Sequence, residues 1–302
     1  MRLSVMVSAF ACLCAVVIGI AAPPAQDEDV RGAFLTSRPK EKPPASSANK
    51  PGRRRPKSSA GATSNKPSEK KNTSSVATSG PTATPSLSST PVNTSRIGLG
   101  LTLFMRDSNG LALRTDPNHV FRRGDRVRIL LETNSDGYLY IFNTTNDGQP
   151  VMIYPDAELD EGGNYIQSHV PFEIPSSLAA EERLRWFAFD ETGGTERVFF
   201  VFTREPLQGI PIEDELIALC RDSKESCPVK PGSELWAGIQ KQMQEPLKLH
   251  KTESYGGAET DTEQQATTRG IGLAKSDPEP SLVMMASSPR STLVATLDLI
   301  HK

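Results

Sequence analysis

No HExxH, no GxSxG and no phosphate-binding GxxxxGK[ST] occurs in the 302 residues. Those absences remove the common zinc-protease, serine-hydrolase and nucleotide-binding signatures. The four histidines, His119, His169, His250 and His301, stand too far apart to share a helix face as metal ligands. Lysine is missing altogether between Ile97 and Leu207, where 10 arginines face 17 acids for a net charge of −7. Aromatic residues are missing between Lys40 and Asn93. A stretch without them buries too little apolar area to offset chain entropy, so that segment is expected to be disordered.

Cysteine is scarce as well. Of four, Cys12 and Cys14 lie in an apolar run from Leu3 to Ile20 that follows Arg2 and precedes Ala21 and Ala22. A short basic start, an apolar stretch and small residues make a secretory leader, with cleavage expected near Ala21–Ala25. Left uncleaved, about 18 apolar residues would approach the length of a membrane anchor. Export to the periplasm or beyond leaves Cys220 and Cys227, in CRDSKESC, as a local disulfide in an oxidising compartment. The spacing is not that of a CxxC redox pair.

What is present sorts into segments. Residues 23–96 read as a Ser/Thr/Pro/Lys-rich basic linker. From Gln26 to Arg96 it carries 13 Lys/Arg against 5 Asp/Glu, net +8, densest at GRRRPK. In an exported chain such a linker spaces a domain from a surface or touches an anionic envelope polymer or phospholipid; nucleic acid is not expected. Within it, VRGAFLTSRP is apolar enough to add as a strand to an open sheet edge, its own or a partner's.

From Ile97 the period becomes two. Leu99, Leu101, Leu103 and Met105 alternate on one face of LGLTLFMR, and LALR returns after DSNG. Val127, Ile129 and Leu131 form the inward set of the next strand. In GYLYIFN, Tyr138, Tyr140 and Phe142 share one face, while Leu139 and Ile141 take the other. Both faces are apolar, which places that strand centrally with a cover on each side. Asp147-Gly148 offers the positive-φ chemistry of a tight turn into PVMIY. HVPFEIP, flanked by Pro171 and Pro175, suits an edge strand. RLRWFAFD and ERVFFVFTR read as two more. Many short strands with regular turns specify an all-β, antiparallel β-sandwich over 97–207.

Helical signals come afterwards. PIEDELIALCR, and SELWAGIQKQM with Ser233 as N-cap, form a helical extension over 208–250, whose Leu235, Trp236 and Ile239 stripe can dock on the sandwich. Residues 251–280 read as a polar loop. SLVMMA and STLVATLDLI, in 281–302, are strands that must pair with the sandwich, with the edge beside Ile97–Met105 as the expected place for the last one.

FRRGDRVRILLETNSDGYLYIFNTTNDGQPVMIYPD resembles the signature half of a bacterial domain family, domain of unknown function 4384. Its marks are a Gly-Asp turn before a strand, an Asp-Gly-Tyr-hydrophobic-Tyr strand, an Asp-Gly turn and a strand closing on Tyr-Pro. VPFEIP and GGTERVFFVFTREPL fit the second half. VRGAFLTSRP and CRDSKESCP resemble segments of exported members. The resemblance implies a β-sandwich, a bacterial source and the cell envelope. It supplies no catalytic or binding residue.

Two places remain where something could bind. In DAELDEGGN, Asp156, Glu158, Asp160 and Asn164 are oxygen ligands in a Gly-rich loop, a calcium candidate. It is no EF-hand, because Glu161 stands where the invariant Gly belongs and Gln167 where the bidentate Glu belongs. Tyr154, at a strand end beside Pro155, can pack its ring and keep its hydroxyl in water. The sequence therefore reads as an exported, non-catalytic interaction or structural module of the envelope, with no cofactor beyond that calcium candidate. Its partner would be a protein or an anionic polymer. The alternatives are a hydrolase-type site on the sandwich loops and a calcium-binding sandwich.

Overall fold

In the computed structural model, residues 26–41, 96–157, 163–222, 229–252 and 254–302 are described. The expected secretory leader and its expected cleavage site, residues 42–95, Glu158, Asp160 and Cys227 lie outside them.

Two sheets face each other. The first is built on β1 (Gly98–Arg106), β4 (Arg126–Thr133), β8 (Phe172–Ile174), β11 (Leu247–Lys251) and β12 (Leu282–Ala286), in the order β11-β12-β1-β4-β8. Two short strands, β2 (Ala112–Arg114) and β9 (Phe187–Ala188), join β1 and β4. The second runs β3-β13-β10-β5-β6, from β3 (Val120–Phe121), β5 (Gly137–Thr145), β6 (Val151–Tyr154), β10 (Gly194–Thr203) and β13 (Thr292–His301); β7 (Tyr165–Ile166) pairs β5. Pairing is antiparallel except between β13 and β3.

Alternation decides what each strand buries. Leu99, Leu101 and Leu103 of β1, and Val127, Ile129 and Leu131 of β4, meet Leu139, Ile141, Phe200 and Phe202 from the second sheet. That is the inter-sheet core. Tyr138, Tyr140 and Phe142 turn outward and pack with Phe199 and Val201 under α2 (Glu213–Asp222) and α3 (Ser233–Met243). The Trp236 ring meets Phe142 and Phe199 edge-on at 5.8 and 4.8 Å. β5 and β10 are therefore buried on both faces, as their unbroken apolar runs require. Gly137 allows the close approach: a Cβ there would stand 2.4 Å from the Thr203 carbonyl oxygen.

The structure corrects several expectations. The last run, β13, does not lie beside β1; it pairs residue for residue with β10, Thr203 opposite Thr292 through Gly194 opposite His301. It is β12 that pairs β1. RLRWFAFD is a 3₁₀ turn (Glu182–Arg185) followed by the two residues of β9. The positive φ of the β5–β6 turn belongs to Asn146 (50°) and Asp147 (56°), not to an Asp147-Gly148 pair; Asn and Asp tolerate that region better than other side chains. Gly232 rather than Ser233 is the N-cap of α3.

Two corrections are larger. Residues 251–280 are not all loop: α4 (Asp261–Arg269) opens on a capping box between Thr260 and Glu263 and closes on Gly270 at φ 62°. VRGAFLTSRP is neither a disordered linker segment nor an added strand. Its Val30–Thr36 part lies in α1 (Gln26–Thr36), which docks on β11 and β12. Val30 and Phe34, one helical turn apart, pack on Val283 and Met285. Gly100 leaves room for them, since a Cβ there would meet the Phe34 ring at 3.1 Å and Pro280 at 2.5 Å.

Just after α1, Arg38 is 2% exposed. Its Nε and Nη2 donate to the two oxygens of Glu132 at 2.8 and 2.7 Å. Further bonds reach the carbonyls of Asp277 and Pro278, both at 3.0 Å. His169 Nδ1 lies 2.7 Å from the same Glu132 carboxylate. Burial pushes the Glu132 carboxyl up, but the His169 and Arg38 bonds outweigh it and hold the carboxyl below the usual range. This buried cluster ties residues 26–41 and 273–280 to the outer face of the first sheet.

Candidate functional site

At one end of the sandwich the interior alternation continues past the apolar core and turns polar. On β5 the inward series Leu139, Ile141 is followed by Asn143 and Thr145. On β10 Val198 is preceded by Glu196, and on β13 Leu297 and Leu299 are followed by His301. Register brings them together: Glu196 lies opposite Thr145 and Leu299, and Val198 opposite Asn143. Here the sheets enclose a cavity of about 190 Å³. Val127, Ile129, Val198, Leu299, Phe187 and Phe189 form its apolar wall. Asn143, Glu196, Asp190 and His301 line the rest, and the exposed Ala188 and Asp190 mark its mouth.

The polar end is incompletely paired. Glu196 Oε2 accepts from Asn143 Nδ2 at 2.7 Å and from the Thr145 hydroxyl at 2.9 Å. Glu196 Oε1 faces His301 Nε2 at 3.7 Å, beyond hydrogen-bond range. His301 is 4% exposed. Its two ring nitrogens and Asn143 Oδ1 are buried without a hydrogen-bond partner among the described residues. Buried polar atoms are normally paired, so a cluster of unpaired ones in a cavity marks a place for a polar ligand group or water. The Phe189 ring packs against the imidazole at 5.1 Å and fixes its orientation. Among the described residues, no serine, cysteine, lysine or arginine lines the cavity.

Residues singled out from sequence lie elsewhere. Tyr154 is not at a wet rim: it is fully buried, in the inter-sheet core, with its ring stacked 5.6 Å from Phe172. The reason is a register shift between β5 and β6. Met152 pairs Phe142 and Tyr154 pairs Ile141, so Ile153 is an extra residue. A bulge reverses which face later side chains take. Met152 therefore joins the helix-covered face, and Tyr154 joins the interior. Asn164, of the calcium candidate, is 1% exposed and donates from Nδ2 to the Leu139 carbonyl at 3.2 Å; Asp156 is half-buried, and Glu158 and Asp160 fall outside the described residues. Among the described residues no three His, Cys, Asp or Glu side chains gather as a metal site. Cys220 is on α2, packed against the helix-covered core.

The cavity residues were not found from sequence, although a signal existed. His301 shares its parity with Leu293, Leu297 and Leu299, and Glu196 with Val198, Phe200 and Phe202. A polar residue in an inward position at a strand end is the mark of a lined cavity mouth.

No helix among the described residues is long and apolar enough to cross a membrane. Neither the search of curated proteins nor that of solved structures returned a match. Residues 120–206, from β3 to just past β10, match the family model described as Domain of unknown function (DUF4384), the family whose signature this chain resembles.

Proposed function

We propose that this chain is an exported, non-catalytic interaction module of the bacterial cell envelope, and that it binds through the inter-sheet cavity. The observation that carries the reading is the cavity itself: an apolar wall, four polar groups at one end and, among the described residues, no serine or cysteine lining it beside Glu196 and His301. A carboxylate next to an imidazole without a nucleophile lacks a part needed for acyl transfer. Pockets of this composition, largely apolar with a few convergent polar groups, are where small ligands bind.

Export rests on the leader-like run Leu3–Ile20 and on the resemblance of VRGAFLTSRP and CRDSKESCP to segments of exported members. The basic stretch from Gln26 to Arg96 supports contact with an anionic envelope surface, with the docked α1 as its fixed end. The Cys220–Cys227 bridge belongs to the same reading, as a stabiliser suited to an oxidising compartment.

The test has two arms. Expression with the native N-terminus in a bacterial host, followed by fractionation and N-terminal mass spectrometry, should recover the chain outside the cytoplasm and starting near Ala22–Gln26. Crosslinking in that envelope should capture an envelope protein or polymer, and capture should fail once the cavity is filled by Ile129→Trp. Cytoplasmic recovery, or turnover of an ester or peptide library lost on His301→Ala, would overturn the reading.

A further inference from the structure

The polar end of the cavity is specific about charge. Asp190 and Glu196 bring two carboxylates, and among the described residues no lysine or arginine lines the space to neutralise them. The nearest guanidinium on β10, Arg197, points to the opposite face and is held by Asp298 at 2.8 Å and Asp147 at 2.8 Å. It is also specific about hydrogen bonding. Asn143 spends one amide N–H on Glu196 Oε2, and its Oδ1 is a buried acceptor without a partner among the described residues. Glu196 Oε1 is a second acceptor, with His301 Nε2 across a 3.7 Å gap. A neutral imidazole adds one acceptor nitrogen and one N–H, the latter suited to the side that faces Glu196. Acceptors on three residues at one end of an apolar cavity that also carries two carboxylates suit a cationic donor, and a primary ammonium brings three donors and no acceptor.

We infer that the inter-sheet cavity binds a small organic ammonium, its N–H donors directed at Asn143 Oδ1, Glu196 Oε1 and the His301 ring, and its single-ring or branched-chain body against Ile129, Val198 and Phe189. Size follows from the volume. An apolar cavity of about 150 Å³ accommodates benzene; one of about 190 Å³ leaves room for one ring and a short aminomethyl arm. An anionic ligand would meet two uncompensated carboxylates. A neutral alcohol would fill the wall but satisfy fewer acceptors. The inference rests on the cavity being the binding site proposed above.

The experiment compares three one-ring probes of similar shape on the purified full chain by calorimetric titration: benzylamine, benzyl alcohol and benzoate. Benzylamine should bind at least roughly tenfold more tightly than benzyl alcohol, as expected for a charge-assisted bond, and benzoate should not bind. Glu196→Gln keeps an oxygen for Asn143 and Thr145 and should bring benzylamine down to the affinity of benzyl alcohol. Asp190→Asn, at the exposed mouth and safe for folding, should weaken benzylamine alone by a smaller factor. Equal binding of benzylamine and benzyl alcohol, or a preference for benzoate, would overturn the ammonium assignment and leave the cavity as the binding site. No binding of any probe, with Ile129→Trp indistinguishable from wild type, would overturn both.

Discussion

Replacing Arg38 by alanine probes the joint that holds the N-terminal segment to the sandwich. The side chains of Arg38 and Glu132 are 0% and 3% exposed, and their contact is bidentate. Removing one partner of such a pair leaves an uncompensated buried charge and typically costs about 3 to 5 kcal/mol. His169 still reaches Glu132 at 2.7 Å, so the low end, about 3 kcal/mol, is expected. For an ordered domain of this size that lowers Tm by roughly 6 to 12 °C. Urea unfolding at pH 7 measures it. The double variant Arg38→Met with Glu132→Leu should cost clearly less than the single one, because it removes the stranded carboxylate as well. The pH dependence has a definite sign. The folded Glu132 carboxyl lies below its usual value near 4.5, so its contribution is present above that pH and is lost as pH falls through the lower, folded value. The gap between wild type and Arg38→Ala should therefore narrow in acid. A single-variant cost below about 0.5 kcal/mol, the range of ordinary surface substitutions, or a gap unchanged down to pH 3, would refute the buried joint.

Other outcomes are expected with different assays. Phe34→Ala, which empties the α1 contact with Val283 and Met285, should cost roughly 3 kcal/mol and expose residues 26–41 to limited proteolysis; resistance equal to wild type would contradict the docking. Glu259 is pushed up to about 8, first by burial and then by the neighbouring Glu173. A raised folded value means stability is full below about 4.5 and falls as pH rises to about 8. Because the group is partly solvated, the fall is discounted to about 1 kcal/mol, and Glu259→Gln should flatten it. Parallel profiles for the two proteins between pH 5 and 9 would rule this out. Cys227→Ser should lower stability by roughly 2 to 3 kcal/mol under oxidising conditions and by nothing under reducing ones; equal effects in both would remove the disulfide. Millimolar calcium should leave Tm unchanged, since Asn164 is committed to the Leu139 carbonyl; a rise abolished by Asp160→Ala would restore the acidic loop as a calcium site.

Much of the sandwich was legible because burial on a strand has period two. Leu99, Leu101 and Leu103, the inward set of β4, and the division of GYLYIFN into Tyr138, Tyr140, Phe142 against Leu139, Ile141 all stand in the structure as the alternation places them. Two helices were also legible and overlooked. Thr260 and Glu263 form a capping box with Gly270 closing α4, and Val30 and Phe34 stand one turn apart after three acids in α1. Those are local signals. In α1 they were outweighed by the composition of the linker around it.

The site was not legible in the same way. Period and turn chemistry act between neighbours a few residues apart, so the sequence alone determined most of the sandwich strands and which of their side chains share a face, but not β11, which lies where a helical extension over 208–250 was expected. Register between distant strands depends on which edges remain open when the chain collapses, and one bulge inverts everything beyond it. That is why Tyr154 went inward. It is also why Asn143, Glu196 and His301, separated by up to 158 positions in the sequence, meet at one cavity only once β13 has paired with β10 and β10 with β5.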